Sequence, residues 1–409
     1  MKKLKRLALL GSILLILIFA IYFLQFLKIK PPEWTPENSL VREIAPVISD
    51  QLDTQTLIQA IDFSLKYVAK MDPRSTICLG GDSYTIEQLR LTLIDFKNNL
   101  IERGLSPSFF QYLKENYLFY QTPAPEVIFT GYYEAHLNGS VNPSDQFRFP
   151  LYRKPDDLVR IELSKFHFFS KYKGLPPTIK GRLIDDKMIL PYYSREEIDS
   201  RQKLSGKNLE IVWVDDSIDV FFLHIQGSGV ITLNTGEKMR VNYAESNGHP
   251  YRAIGKLLLD RGILNYENMS MQSIRTYLQN HPDEIESIFS FNPSYVFFRM
   301  VEDGPMGSIG VPLTPYRSIA LDHRLFPGGA LCYIETEIPV TDNENLSFQD
   351  IEVKEWKKFS GFVLNQDTGG AIRGPGRIDL FTGHGDRSEW IAGHMKQPGT
   401  FYFLIKKQN

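Results

Sequence analysis

Three aspartates, Asp367, Asp379 and Asp386, fall within one glycine-rich stretch near the C-terminus. It reads Gln366-Asp367-Thr368-Gly369-Gly370-Ala371-Ile372-Arg373-Gly374-Pro375-Gly376-Arg377-Ile378-Asp379-Leu380-Phe381 and continues through Gly383-His384-Gly385-Asp386. Glycines let a backbone turn sharply and approach a ligand closely. Asp379 stands apart because it sits in an apolar, strand-like run beside Ile378, Leu380 and Phe381. A carboxyl in apolar surroundings has a raised pKa, which is what a general acid needs to keep its proton near neutrality. Arg377 shares its face at strand period and pushes the other way. Asp367 and Asp386 are readable either as site support or as acids that satisfy turns.

Other chemistries fit less well. Asp367-Thr368-Gly369 matches the catalytic loop of aspartic proteases, but that mechanism needs two such loops sharing a proton and the chain has one. Eight histidines and two cysteines show no zinc-ligand spacing and no HExxH, so neither a metal nor a cofactor is expected. Tyr133, Gln226, Ser228, Asn247 and His249 lie in glycine-flanked segments, where polar side chains either face a groove or satisfy turns. His249 has no partner acid that the sequence identifies.

The elements that must position these residues change in texture along the chain. Residues 54–69 carry Leu57, Ile61, Leu65 and Val68 at helical period. Thr85 and Gln88 form a capping box that opens a second helix, ended by Gly104, and Phe109 to Tyr120 is expected to be helical as well. From Val127 the signals become short strands with glycine, asparagine and aspartate turns, Val212–Val214 and Val220–Ile225 among them. Helices are expected at 251–260, 271–278 and 283–289. After Phe298 strands return at 319–321, 330–338, 362–364, 378–381 and 400–405, a pattern that suggests a small closed barrel.

At the N-terminus Lys2, Lys3, Lys5 and Arg6 precede an apolar run from Leu7 to Leu27, closed by Lys28 and Lys30. As a helix that run rises about 30 Å, enough to cross a membrane. It ends in bulky residues rather than a small-residue cleavage site, and no cysteine follows it. The expectation is an uncleaved anchor with everything after Lys30 outside the cytoplasm. The formal net charge of −2 gives no electrostatic basis for binding nucleic acid. Cys78 and Cys332 carry no disulfide-framework spacing.

Seven segments occur in an order that resembles the membrane-bound lytic murein transglycosylase A family. They are Thr130-Gly131-Tyr132-Tyr133-Glu134, Gly181-Arg182 with Pro191-Tyr192-Tyr193-Ser194-Arg195, Gln226-Gly227-Ser228-Gly229, Ser246-Asn247-Gly248-His249-Pro250-Tyr251-Arg252, Met269-Ser270-Met271-Gln272, Asn292-Pro293-Ser294-Tyr295, and the aspartate stretch. The resemblance covers about residues 125–406. It implies a mainly β fold with helices, in which a double-psi β-barrel (31–130 and 300–409) is interrupted by a second β-rich domain (131–299). A glycan groove would lie between the two, behind an anchor at 1–30. It further implies a lytic exotransglycosylase of peptidoglycan, with Asp379 as the catalytic acid/base and Asp367 and Asp386 as the family's other two aspartates, supporting the site. Tyr133, Gln226, Ser228, Asn247 and His249 would bind the glycan strand. Familiar members carry a lipoprotein signal, so the resemblance allows an outer-membrane site where the anchor helix favours the inner membrane. A hydrolytic glycosidase on the same barrel and a non-catalytic, expansin-like wall-binding module remain as rivals.

Overall fold

The computed structural model describes residues 33–172, 175–265, 269–341 and 353–408. The Leu7–Leu27 run lies outside them, and among the described residues no helix is long and apolar enough to cross a membrane. From Pro36 onward the chain is one compact unit, mainly β with helices packed on it.

One long strand, Ile128–Ser140, organises this unit. Its first half pairs in parallel with Arg377–His384, placing Thr130 opposite Asp379 and Tyr132 opposite Phe381. Its second half pairs in parallel with Ser228–Leu233, from Ala135 opposite Gly229 to Gly139 opposite Leu233. From the first partner the sheet continues through Ser318–Ala320, Glu355–Asp367, Leu331–Val340, Thr400–Lys406, Tyr117–Gln121 and Val41–Glu43. From the second it continues through Lys238–Ser246 and Val296–Val301. The two ends of this path do not pair, so the ladder is open where the sequence suggested a closed barrel. The C-terminal segment comes nearest to closing it. Lys396–Pro398 pairs with Ile128–Thr130, Thr400–Lys406 pairs with Leu331–Val340, and Gly399 separates the two. A Cβ at Gly399 would lie 2.3 Å from the Glu335 carbonyl oxygen, so a side chain there would force the backbones apart.

The helices follow their local chemistry. Thr56–N bonds the Asp53 carboxylate at the start of Thr54–Val68, and both arms of the Thr85/Gln88 capping box are made at the start of Ile86–Arg103. Two expectations fail. Tyr117–Gln121 is a strand, because the helix Pro107–Asn116 ends where the chain joins the sheet beside Thr400–Lys406. Val220–Ile225 belongs to the helix Ser217–Gln226. Asp216 accepts the Ile218 N–H at its start, and Gly227 at φ 82° closes it in the left-handed conformation. Its continuous apolar run has no readable period, so only these caps distinguish it from a buried strand.

The segment 36–53 is fastened to the sheet by a fully buried ion pair. Arg317 Nη1 and Nη2 donate to the Asp50 carboxylate at 2.6 and 3.2 Å, and the Phe362 N–H bonds the same group at 2.9 Å. Neither Arg317 nor Asp50 side chain reaches solvent. Removing one member of such a pair leaves an uncompensated buried charge. Cys78 and Cys332 are both free thiols, the second fully buried.

Candidate active site

Strand alternation and one bulge put two carboxylates on a single sheet face. In Arg377–His384 the side chains of Ile378 and Leu380 are buried on one side, while Arg377, Asp379 and Phe381 share the other. Ala320 lies directly opposite Asp379 in the antiparallel pair with Ser318–Ala320. On its other edge Ser318–Ala320 pairs in parallel with Glu355–Asp367. Ile319 faces Asn365, but Ala320 faces Asp367, so Gln366 is skipped. A one-residue slip in register moves side chains to the opposite face. The bulge therefore turns Gln366 into the core, where its amide is fully used. Nε2 donates to the Ala60 carbonyl (2.8 Å) and to Ser64 Oγ (2.9 Å), and Oε1 accepts from Ser318 Oγ (2.6 Å). Asp367 is thereby placed on the face of Asp379, two strand spacings or about 10 Å away at the backbone.

The floor between the two acids is apolar, built from Tyr132, Leu313, Ala320, Ile372 and Phe381. The Tyr132 hydroxyl donates to Asp367 Oδ2 at 3.0 Å, and the Ser308 and Thr368 N–H groups donate to Oδ1 at 2.8 Å each. Burial nonetheless outweighs these bonds and pushes the Asp367 carboxyl up to about 6. Asp379 accepts one bond only, from Thr130 Oγ1 to Oδ1 at 2.6 Å. It keeps some surface exposure, but protein encloses its carboxyl closely enough that burial raises its pKa above the ordinary value. The Thr130 bond and the charge of Arg377 oppose that rise. Among the described residues no group donates a hydrogen bond to Asp379 Oδ2. The arrangement leaves a carboxyl of raised proton affinity with one open oxygen on an apolar floor, which is suited to give a proton to a bound ether oxygen.

A third buried acid holds the loop that joins them. Asp322 accepts the Gly374 N–H at 2.8 Å and the Arg324 guanidinium at 2.8 and 2.5 Å. Burial pushes its carboxyl up, but the bonds from Arg324 and Gly374 prevail and hold it below the ordinary value. Sequence reasoning passed over Asp322, although it follows the apolar run Ile319-Ala320-Leu321 in the way that drew attention to Asp379. Among the described residues no three His, Cys, Asp or Glu side chains converge as metal ligands.

This geometry coincides with two family models. One described as the MltA specific insert domain matches residues 128–299, and one described as the 3D domain matches residues 317–405. The crystal structure of a membrane-bound lytic murein transglycosylase from Agrobacterium tumefaciens is 33% identical, with a TM-score of 0.70 over 87% of this chain and 94% of that one. The chain belongs to the membrane-bound lytic murein transglycosylase A family. A second structure, MltA from Neisseria gonorrhoeae, is 26% identical, with a TM-score of 0.67 over 92% of this chain and 97% of that one. Among curated relatives, membrane-bound lytic murein transglycosylase A of Escherichia coli is 30% identical over 281 residues, 68% of this chain and 65% of the relative. The match thus spans just under two thirds of that relative's length.

Within this transglycosylase A fold the other expected site residues separate. Asp386 is exposed in the first turn of the helix Asp386–His394, where an acid stabilises the helix start. Asp322, not Asp386, joins Asp367 and Asp379 around the glycine loop. Tyr133 faces the opposite side of its strand from Tyr132. It is buried in the core of the insert region, where burial, with the nearby Glu389 charge, raises its phenol. Asn247, 1% exposed, has every hydrogen-bonding position used. Nδ2 donates to the Tyr193 and Pro293 carbonyls, and Oδ1 accepts from the Tyr295 and His249 N–H groups. Gln226 Oε1 accepts the Tyr133 N–H at 3.1 Å, and Ser228 is buried. His249 Nε2 donates to the Tyr192 carbonyl at 2.7 Å and remains part-exposed. Asn247 is thus consumed by backbone groups that the sequence did not reveal, and Gln226 remains part-exposed with its Nε2 toward Met271 Sδ at 3.9 Å.

Proposed function

We propose that the protein is a lytic murein transglycosylase, cleaving the β-1,4 bond between N-acetylmuramic acid and N-acetylglucosamine with formation of a 1,6-anhydromuramoyl end. The observation that carries this reading is Asp379: a part-buried carboxyl with raised proton affinity, a single protein hydrogen bond and one open oxygen on an apolar floor. Protonated Asp379 gives its proton to the glycosidic oxygen as the C1–O bond breaks through an oxocarbenium-like state. The muramoyl C6 hydroxyl then attacks C1, and its proton passes to the Asp379 carboxylate, which restores the acid. Thr130 holds one oxygen throughout, so the other meets both protons. The name carried by the Escherichia coli relative supports the substrate class.

The expected double-psi barrel is read in six segments, which come nearest to closing at Gly399. Ile128–Ser140 pairs with Lys396–Pro398, whose continuation Thr400–Lys406 pairs with Leu331–Val340. Glu355–Asp367, Ser318–Ala320 and Arg377–His384 complete the six. On this reading 31–130 with 300–409 is the barrel domain and 131–299 the insert. The Leu7–Leu27 run anchors the chain in the inner membrane with the catalytic part in the periplasm.

A hydrolase is the second reading, because Asp367 shares the face of Asp379 and is itself raised. Paired glycosidase carboxyls lie roughly 5–9.5 Å apart. The released end separates the readings. Purified sacculi treated with the protein should yield 1,6-anhydro products by mass spectrometry, and a reducing end would support the hydrolase. Release of nothing would leave a wall-binding, expansin-like module. Asp379→Asn is nearly isosteric but cannot donate or recover the proton. Since general acid–base help is worth roughly 10²–10⁴-fold, it should lose at least that while still binding glycan strands. A variant retaining more than about a tenth of the wild-type rate would remove Asp379 from the chemistry.

A further inference from the structure

Among the described residues, two arginines of the loop and strand that lead to Asp379 form no ion pair with a carboxylate. Arg373 Nη1 donates to the Gly369 and Ile372 carbonyls at 3.3 and 3.1 Å. Arg377 has no protein acceptor at all among the described residues, and its Nε is buried without one. Leaving a buried guanidinium N–H unmet is costly, and folded chains avoid it. The obvious internal partner, Asp379, meets Thr130 through Oδ1, and among the described residues no ion pair joins its open Oδ2 to Arg377. Arg377 is two positions before Asp379 on one strand, so it stands on the same face about 7 Å along the floor. Tyr251 of the insert region lies near enough that burial raises its phenol against the charges of Arg195 and, less strongly, Arg377. The unmet guanidinium therefore sits on the face of Asp379, beside the reacting position.

We infer that Arg377 recognises a carboxylate carried by the muramoyl unit of the substrate. The inference rests on the glycan-cleaving function proposed above. Of the two sugars in the strand only the muramoyl unit bears a 3-O-lactyl arm. That arm ends in a free carboxylate in stem-free strands and in a peptide with its own carboxylates in intact ones. A planar guanidinium meets a carboxylate through two parallel hydrogen bonds, a match that an N-acetylglucosaminyl unit cannot supply. Docking at Arg377 would set which of the two alternating glycosidic bonds lies over Asp379. It would also neutralise the positive charge that holds down the proton affinity of Asp379, so the acid becomes competent when the muramoyl unit is in place.

The test uses the Asp379→Asn protein, which cannot turn over, with and without Arg377→Gln. Calorimetry measures binding of three ligands at low salt: an N-acetylglucosamine hexamer, a stem-free alternating oligomer, and the same oligomer bearing peptides. Loss of a charge-assisted pair should weaken carboxylate ligands by about tenfold or more and leave the neutral hexamer within about twofold. A loss confined to the stem-free oligomer assigns the carboxylate to the lactyl arm, one confined to the peptide-bearing oligomer assigns it to the stem, and a loss on both means that Arg377 accepts either. Arg377→Lys, which keeps the charge without the fork, should recover part of the affinity. Equal effects on all three ligands, or none on any, overturn the inference. If no ligand binds even with Arg377 present, the glycan-cleaving reading falls and takes this one with it.

Discussion

Replacing Asp367 separates its role in folding from a role in chemistry. Its carboxyl, ordinarily at 3.8, is pushed up to about 6 by burial. The folded state thus holds the proton more tightly than the unfolded chain. Stability from this group is fully present below about pH 4 and is lost as pH rises through about 6. The full difference is about 3 kcal/mol, and about 1.4 kcal/mol of it is lost between roughly pH 5 and pH 8. Asp367→Asn keeps an oxygen for the Ser308 and Thr368 N–H groups and an amide for Tyr132, but it does not titrate. A folded unit of this size unfolds with an entropy near 0.8 kcal/mol per degree, so 1.4 kcal/mol is about 2 °C. Relative to wild type, the Asn variant should therefore gain about 2 °C in Tm on going from roughly pH 5 to pH 8. Asp367→Ala leaves three donors unmet and should lie about 1–3 kcal/mol below the Asn variant at every pH. Thermal melts across that range, with anhydro-product release measured alongside, decide the matter. If wild type and Asn melt in parallel throughout, Asp367 is not a destabilised carboxylate. If the Asn variant melts normally but loses all turnover, Asp367 belongs to the reaction.

Two further outcomes are expected. Asp322→Ala removes the acceptor for Gly374 and releases Arg324, so it should cost about 1–3 kcal/mol and lower kcat more than it weakens glycan binding, since it loosens the loop between Asp367 and Asp379. Equal kcat with a lowered Tm would restrict it to stability. For the anchor, N-terminal sequencing of protein extracted from native membranes should find the Leu7–Leu27 run intact; a mature chain starting after residue 20 would mean the run is removed.

Local chemistry was legible in the sequence. The Thr85/Gln88 capping box, the helix stop at Gly104 and the strands around Asp379 depend on neighbours a few positions away, and each formed close to where the residues implied. Segment order was enough to indicate the family, because many short matches in register constrain a chain where any one alone does not. The faces of strands were not legible. Tyr132 and Tyr133 are equivalent in sequence, yet only pairing with Arg377–His384 decides that Tyr132 meets the acids and Tyr133 the core. Asp322 and Asp386 are both acids near strand ends, and only packing buries the first and exposes the second. The skipped Gln366, which brings Asp367 beside Asp379, depends on Ala60 and Ser64, some three hundred positions earlier. Residue type fixed which groups were available for chemistry. Which of them share a face was decided by strand register, a property of distant pairings that no local stretch contains.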